Sequence, residues 1–375
     1  MPHRRLAGGG VFCGPVCSFP PRNCCASGTI SEPIEGRRSY CAHNTAPVIL
    51  RPQYRADHTA PTVFPIRPRP VPTAPILTLT GPTAVGKTEL SLAAAEALNA
   101  EIVSVDSRQV YEELTIGTAK PSPEAQARVP HHFIGERTLD EPLSAGAYAD
   151  AANNRIADIR ARGKQPLVVG GGTLYLHALQ YGLADIPDVD EAVRERLQTR
   201  LKTDGKQALY DELTEVDPAQ AAKMDPTKTQ RVLRALEVYH GTGRPLSHYY
   251  EQQPEPPFDY VTVVLNRERQ RLYDRINRRV DQMLDAGLLD EVRAVMDTDG
   301  VQLDTPPLST IGYREPIQYL RGEMDHDEMV RLVKRNTRRY AKRQLTWFRR
   351  YEEYQWRDAP QTTAADLVEE LRTFS

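Results

Sequence analysis

The amino-acid sequence predicts an α/β protein: a parallel sheet flanked by helices and interrupted by an all-helical insertion. Three observations carry that expectation. The stretch Gly81-Pro82-Thr83-Ala84-Val85-Gly86-Lys87-Thr88 has a glycine, four free positions and then Gly-Lys-Thr, the spacing of a phosphate-binding loop. Short apolar runs of buried-strand type recur on both sides of it, each followed by a helical pattern. From Pro187 to about Pro257 such runs are missing, and charged, helix-rich sequence takes their place.

Taken in order, Ile76-Leu77-Thr78-Leu79-Thr80 reads as a buried strand, and the Ala/Leu-rich stretch from Lys87 to about Leu98 as a helix. Strand, loop and helix in that order make the fold P-loop NTPase-like. Loop amides and the helix N-terminus converge on an anion, Lys87 adds a full positive charge, and the Thr88 hydroxyl can hold a magnesium ion bridging two phosphates. A second strand, Glu101-Ile102-Val103-Ser104-Val105, ends on Asp106-Ser107-Arg108-Gln109. Ligands of open α/β sheets lie at such strand ends, so Asp106 arrives beside the phosphate loop. From position alone it reads as a magnesium ligand or a capping residue, and position does not make it a base.

A looped stretch follows with Gly117-Thr118-Ala119-Lys120-Pro121 and Pro130-His131-His132. The paired histidines read as structural, since no carboxylate pattern of a metal site accompanies them. A helix is expected over about 143–160, then a strand Pro166-Leu167-Val168-Val169 running into Gly170-Gly171-Gly172-Thr173. Those glycines allow close approach of a base or backbone, or form a tight strand-to-helix turn. After the helical insertion at 188–257, Tyr260-Val261-Thr262-Val263-Val264-Leu265 restores strand character. Residues 267–297 read as one long helix or two joined near Gly287. The catalytic core is thus expected at 76–187 and 258–350, with a tail and short helix at 351–375.

Charge is distributed unevenly behind a net −2. Residues 331–350 hold nine Lys/Arg and no acid, although the chain from 77 onward is acidic overall. On a helical wheel Arg331, Lys334, Arg335, Arg338, Arg339, Lys342 and Arg349 fall on one half, with Val333, Tyr340, Trp347 and Phe348 on the other. A basic amphipathic helix of this kind suits nucleic acid, its aromatic side packed on the body. The first 75 residues contain 13 of the 30 prolines and read as a disordered leader, or as sequence before a downstream start. All five cysteines lie within residues 1–41, which leaves the body without disulfides or thiolate zinc sites and fits a cytoplasmic protein. No apolar run approaches the ~20 residues of a membrane span.

Together these motifs resemble the bacterial tRNA dimethylallyltransferases, also called tRNA isopentenyltransferases. The likeness spans residues 76 to about 350. It is carried by the phosphate loop at 81–88, Ser-Val-Asp-Ser at 104–107, Ile-Gly-Thr-Ala-Lys-Pro at 116–121, Pro-His-His at 130–132 and Val-Gly-Gly-Gly-Thr-Leu-Tyr at 169–175. Further along come Gln-Arg-Val-Leu-Arg-Ala-Leu-Glu-Val at 230–238, Gly-Tyr-Arg at 312–314 and Thr-Arg-Arg-Tyr-Ala-Lys-Arg-Gln-Leu-Thr-Trp at 337–347. The leader departs from the family pattern.

The resemblance implies that dimethylallyl diphosphate prenylates the adenosine 3′ of a tRNA anticodon, with Mg2+ as cofactor. It implies Asp106 as the base, Lys87 and Thr88 on the diphosphate and its magnesium, and Arg231 at the reaction channel. It further implies tRNA contacts from Asp106, Ser107, Arg108, Gln109, Thr173 and Arg194, from Gln230, Arg231, Val232, Leu233 and Arg234, and from Ser309, Thr310, Ile311, Gly312, Tyr313 and Arg314. The partners are then the tRNA anticodon stem-loop and the donor, and the protein is expected to be a monomer. Competing readings are an ATP-dependent small-metabolite kinase, which leaves the basic helix unexplained, and a free-adenylate prenyltransferase, which needs neither that helix nor so large an insertion. A guanine-reading Asn-Lys-x-Asp string, which a nucleotide switch would need, is absent.

Overall fold

The computed structural model describes residues 74–298, 300–303 and 305–373, so residues 1–73 of the leader, with all five cysteines, lie outside the described residues. Six parallel strands form one sheet in the order β3-β2-β4-β1-β5-β6. They are β1 (Ile76–Thr80), β2 (Ala100–Val105), β3 (His131–His132), β4 (Gln165–Gly170), β5 (Tyr260–Asn266) and β6 (Gln355–Asp358). β1 lies between β4 and β5, and the chain leaves it first to one side and later to the other, which opens a crevice at the strands' C-terminal ends.

The alternation of strand side chains separates two hydrophobic layers. Leu77, Leu79, Ile102, Leu167, Val263 and Leu265 face one layer, which receives α1 (Lys87–Leu98). Ile76, Val103, Val105, Val168 and Val264 face the other, which receives α3 (Ala145–Ala161) and α4 (Thr173–Tyr181). Between these, α2 (Pro123–Arg128) is capped by Ser122, and α3 by Ser144, whose hydroxyls accept from backbone amides of the first turn. Strand boundaries agree with the sequence reading to within a residue at each of the four expected strands. The two missed strands have physical reasons: β3 is only the pair His131–His132, and β6 carries partly polar sequence at the sheet edge. The expected tail at 351–375 therefore needs correction, because β6 extends the sheet from it and α14 (Ala364–Thr373) packs on α1.

Between α4 and β5 every regular element is helical: α5 (Glu191–Thr203), α6 (Gly205–Val216), α7 (Pro218–Ala221), α8 (Thr229–Thr242) and α9 (Leu246–Glu251). Their apolar positions close a separate cluster around Val193, Leu197, Leu209, Leu213 and Leu236. After β5 the chain forms α10 (Arg269–Asp285) and α11 (Leu288–Met296), broken at Gly287, whose φ of 97° suits glycine. Next come α12 (Arg314–Leu320) and α13 (His326–Phe348). α13 begins earlier than the basic stretch because Asp325 caps it, accepting from the Glu328 amide at 2.7 Å. It buries Met329, Val333, Ala341, Gln344 and Phe348. No helix among the described residues is long and apolar enough to cross a membrane.

Candidate active site

Three strand ends meet at the site: β1 feeds the 81–86 loop, β2 ends at Asp106, and β4 runs into Gly170-Gly171-Gly172. The glycines are fixed by crowding. A Cβ on Gly81 would lie 2.6 Å from the Leu265 carbonyl oxygen, and one on Gly170 would lie 2.1 Å from that of Val105. Gly170 and Gly172 accordingly pack tightly against the end of β2, Gly171 lies against Gln344 and Gly81, and Thr173 opens the next helix.

Lys87 begins α1 and turns back over the loop, donating to the carbonyls of Gly81 at 2.9 Å and Pro82 at 3.0 Å. Burial and the Arg279 guanidinium pull its ammonium down to about 8, against the opposing pull of Asp106. Two protons of the ammonium are used by the loop, and the third remains for a ligand. Thr88 is exposed beside it. The outer carbonyls of the loop are braced by guanidinium groups of the β5–α10 segment: Arg275 Nε donates to Ala84 O at 2.8 Å and Arg267 Nε to Val85 O at 3.2 Å. In a planar trans peptide the N–H points opposite to the carbonyl, so holding Val85 O outward directs the Gly86 N–H to the other side, toward the loop interior.

Asp106 Oδ1 accepts from the backbone amides of Arg108 at 2.9 Å and Gln109 at 3.3 Å, which fixes the turn after β2. Its Oδ2 carries no hydrogen bond among the described residues. The carboxylate lies close enough to Lys87 and Arg279 to act electrostatically on both. Tyr340 of α13, pushed up to about 12 mainly by burial, faces the same group. Arg108 leaves its Nε buried and without a hydrogen-bond partner, and its charge acts on Tyr340.

Several residues in this site were not legible as such in the sequence. Arg279 sits with Lys87 and Asp106 and forms no hydrogen bond or ion pair among the described residues. The signal was available: Arg271, Arg275 and Arg279 recur every fourth residue directly after a strand, on one helical face. Gln344, on the buried side of α13, accepts from the Thr83 amide at 2.9 Å and donates to Gly171 O at 2.8 Å. One side chain thereby ties the phosphate loop, the glycine triplet and the basic helix together.

No hydrogen bond or ion pair links Arg231 to Lys87, Asp106 or Arg279 among the described residues. Arg231 is exposed at the start of α8, and its charge acts on Tyr250 and Arg350. The inserted helices set its position, which sequence order could not reveal. Val232 and Leu233 are buried among those helices, and Leu233 also lines the groove formed beside them. Arg194, Gln230 and Arg234 do come together, lining a groove of about 390 Å³ with Leu197 and Glu237. There Glu237 pairs with Arg194 at 2.9 Å and Arg234 at 3.2 Å.

In the 309–314 loop, Ser309 and Arg314 are exposed and Thr310 and Ile311 partly buried. Gly312 and Tyr313 are buried, and Tyr313 packs against Ile317 and the neighbouring core. Ser107 and Thr173 are partly buried at the ends of β2 and the start of α4. The histidine pair is structural, as expected: His132 Nε2 meets Glu101 at 2.7 Å and His131 Nδ1 the Val129 carbonyl at 2.7 Å.

The basic helix is less bare than its sequence. Arg331 pairs with Glu328, Lys334 with Asp281 at 2.5 Å, and Arg338 donates to Asn277 at 2.6 Å. Arg339, Lys342 and Arg343 are exposed and have no carboxylate partner among the described residues.

The sequence profile of the IPP transferase family matches residues 109–351. A tRNA dimethylallyltransferase of Salinibacter ruber is 78% identical over 298 residues, covering 80% of this chain and 92% of the relative. One from Trichlorobacter lovleyi is 46% identical, covering 77% and 95%. Among solved structures, the tRNA isopentenylpyrophosphate transferase of Bacillus halodurans is 40% identical with a TM-score of 0.59, covering 80% of this chain and 95% of that one. A eukaryotic dimethylallyltransferase captured acting on tRNA is 28% identical with a TM-score of 0.63, covering 78% and 77%. A profile match over more than half the chain, with relatives this similar along nearly their whole length, means that the chain belongs to the tRNA dimethylallyltransferase family.

Proposed function

We infer that the protein transfers the dimethylallyl group of dimethylallyl diphosphate to the exocyclic amine of the adenosine 3′ of the anticodon in tRNA and releases diphosphate. The observation that carries this reading is the placement of the Asp106 carboxylate, with one oxygen open, beside an anion loop and its cations Lys87 and Arg279. A proton acceptor next to a diphosphate cradle is what amine prenylation requires.

The adenine amine is a poor nucleophile because its lone pair is delocalised into the ring. As that lone pair forms a bond to the allylic C1, Asp106 Oδ2 takes an amine proton, and the C1–O bond breaks with its electrons passing to the diphosphate. General-base assistance of this kind contributes ~10²–10⁴-fold. The charge growing on the leaving group is met by the Gly86 amide, the free Lys87 proton and Arg279, groups already oriented before the reaction. An adenosine must leave the stacked anticodon loop to reach Asp106, and the buried, unpartnered Nε of Arg108 offers that nucleotide a donor. RNA phosphates are drawn to Arg339, Lys342 and Arg343.

The donor set suits Mg2+. Thr88 supplies a hard hydroxyl oxygen at the loop, while no cluster of three or more His, Cys, Asp or Glu among the described residues forms a protein cage. Thr88 would hold a magnesium ion there, which would supply positive charge to neutralise the departing diphosphate.

The test is direct. Purified protein with magnesium receives an anticodon stem-loop carrying adenosine after the anticodon, and either dimethylallyl diphosphate or ATP, and digested nucleosides are read by mass. A dimethylallyl adduct from the first donor is expected. A phosphorylated product from ATP without that adduct would overturn the reading in favour of a kinase.

A further inference from the structure

We propose that Glu291 of α11 is a positioning residue for this reaction, holding the Asp106 turn and the 309–314 loop in register with one another. The proposal rests on the functional reading above, since that reading makes Asp106 the base.

Three consecutive amides of the 115–117 loop converge on this one carboxylate: Thr115 N at 3.0 Å and Ile116 N at 2.6 Å donate to Oε2, and Gly117 N donates to Oε1 at 3.0 Å. Successive amides arranged this way form an anion-binding nest, here filled by the protein's own charge. The Tyr313 hydroxyl donates to the same Oε1 at 2.7 Å. Its ring lies where a Cβ of Gly117 would fall, 2.6 Å away, so the two loops touch and only glycine fits between them.

The contact continues to the reacting group. Gln109 Nε2 donates to the carbonyls of Thr118 and Ala119, each at 3.1 Å, while the backbone amides of Gln109 and Arg108 hold Asp106 Oδ1. Hydrogen bonds and the backbone of residues 117–119 therefore link α11 through Gln109 to Asp106, with a branch to Tyr313. Only an ionised carboxylate, accepting on both oxygens, satisfies four donors at once. A glutamine here would turn an amide N–H₂ toward backbone N–H groups, and an aspartate would fall one methylene short.

The experiment uses the full chain and the variants Glu291→Gln, Glu291→Asp and Tyr313→Phe. Steady-state prenylation of the stem-loop gives kcat and KM for both substrates, and inorganic pyrophosphate with magnesium, titrated calorimetrically, counts intact donor sites. We expect Glu291→Gln to lower kcat by ~10–100-fold, the cost of a displacement of about 1 Å at a reacting group. Its stem-loop KM should rise, with pyrophosphate affinity within about twofold of the parent on the same argument. Glu291→Asp should recover part of kcat, and Tyr313→Phe, which deletes one donor and keeps the ring, should raise the stem-loop KM. If kcat and KM per pyrophosphate-binding site are unchanged while the thermal midpoint falls, Glu291 only stabilises the fold and the proposal fails. Equal loss of pyrophosphate binding and kcat in Glu291→Gln, with Tyr313→Phe unaffected, also overturns it. If the parent protein itself leaves the stem-loop unmodified, the functional reading fails first, and the Glu291 role with it.

Discussion

Lys87 has to be charged to meet a diphosphate, yet its surroundings oppose that charge. With the ammonium pulled down to about 8 by burial and Arg279, the folded protein releases this proton at lower pH than the unfolded chain does. Between the two values the unfolded state binds more protons, so this residue makes stability rise with pH there, while below about 8 both states are protonated and its contribution is flat. Ligand binding has the opposite sign. A diphosphate favours the charged form, so pyrophosphate affinity should hold steady near neutrality and weaken as pH passes about 8. Calorimetry from neutral pH to about 9.5 checks this, and Lys87→Ala should bind weakly throughout with no break near 8. A second expectation concerns Asp106→Asn, which preserves shape and removes basicity. Turnover should fall by roughly two to four orders of magnitude with stem-loop binding nearly intact, as measured by single-turnover kinetics and a binding titration. Loss of magnesium dependence in that variant would make Asp106 a metal ligand instead. These two residues were legible because local order places them: a strand, a glycine loop and a helix leave Lys87 few positions, and a strand end leaves Asp106 few. Arg279, Gln344 and Glu291 act across long sequence separations, and in the chain they look like any helical arginine, glutamine or glutamate.

At the scale of elements, α13 presents two different faces, and the sequence described only one of them well. Its cations were legible as a charged stripe, but which of them are neutralised depends on neighbours such as Asp281 and Asn277 of α10, which the helix meets only after folding. The salt response should therefore come from the unpaired members. Charge reversal at Arg339, Lys342 and Arg343 together should flatten the dependence of log affinity for the stem-loop on log salt by roughly 0.7–0.9 for each RNA phosphate that is no longer neutralised. Reversal at Arg331 and Lys334 should change it much less, because Glu328 and Asp281 already oppose those charges. The opposite face carries Gln344 into the phosphate loop. Gln344→Leu leaves the Thr83 amide and the Gly171 carbonyl unpaired in a buried position, so the KM for dimethylallyl diphosphate should rise. A strand of regular apolar sequence such as β5 announces itself, whereas a buried glutamine on a basic helix reads as one more polar residue.

For the whole molecule, what matters is how the chain's last elements return to its first. The parallel character of the sheet followed from alternating strand and helix signals, but its far edge did not. β6 is short and carries Arg357 and Asp358, so alternation and hydrophobicity could not mark it. α14 then crosses back to cover α1, the helix that begins with Lys87. Leu367 is 1% exposed and belongs to the same apolar cluster as Leu79, Val85 and Leu92, which lies beneath the phosphate loop. Replacing it with alanine removes buried methyl groups and opens a cavity against α1, at a cost of about 2–5 kcal/mol. The expected result for Leu367→Ala is a clear fall in thermal midpoint, with kcat per folded molecule at low temperature close to that of the parent, since no group at Asp106 or Lys87 is touched. Deleting residues 352–375 goes further, because β6 and α14 leave together and β5 acquires an open edge. That protein should lose pyrophosphate binding along with stability, which differential scanning calorimetry and titration would report on the same sample. If it kept the parent's midpoint and donor affinity, the C-terminal elements would be an appendage, and the support of α1 would have to come entirely from the sheet.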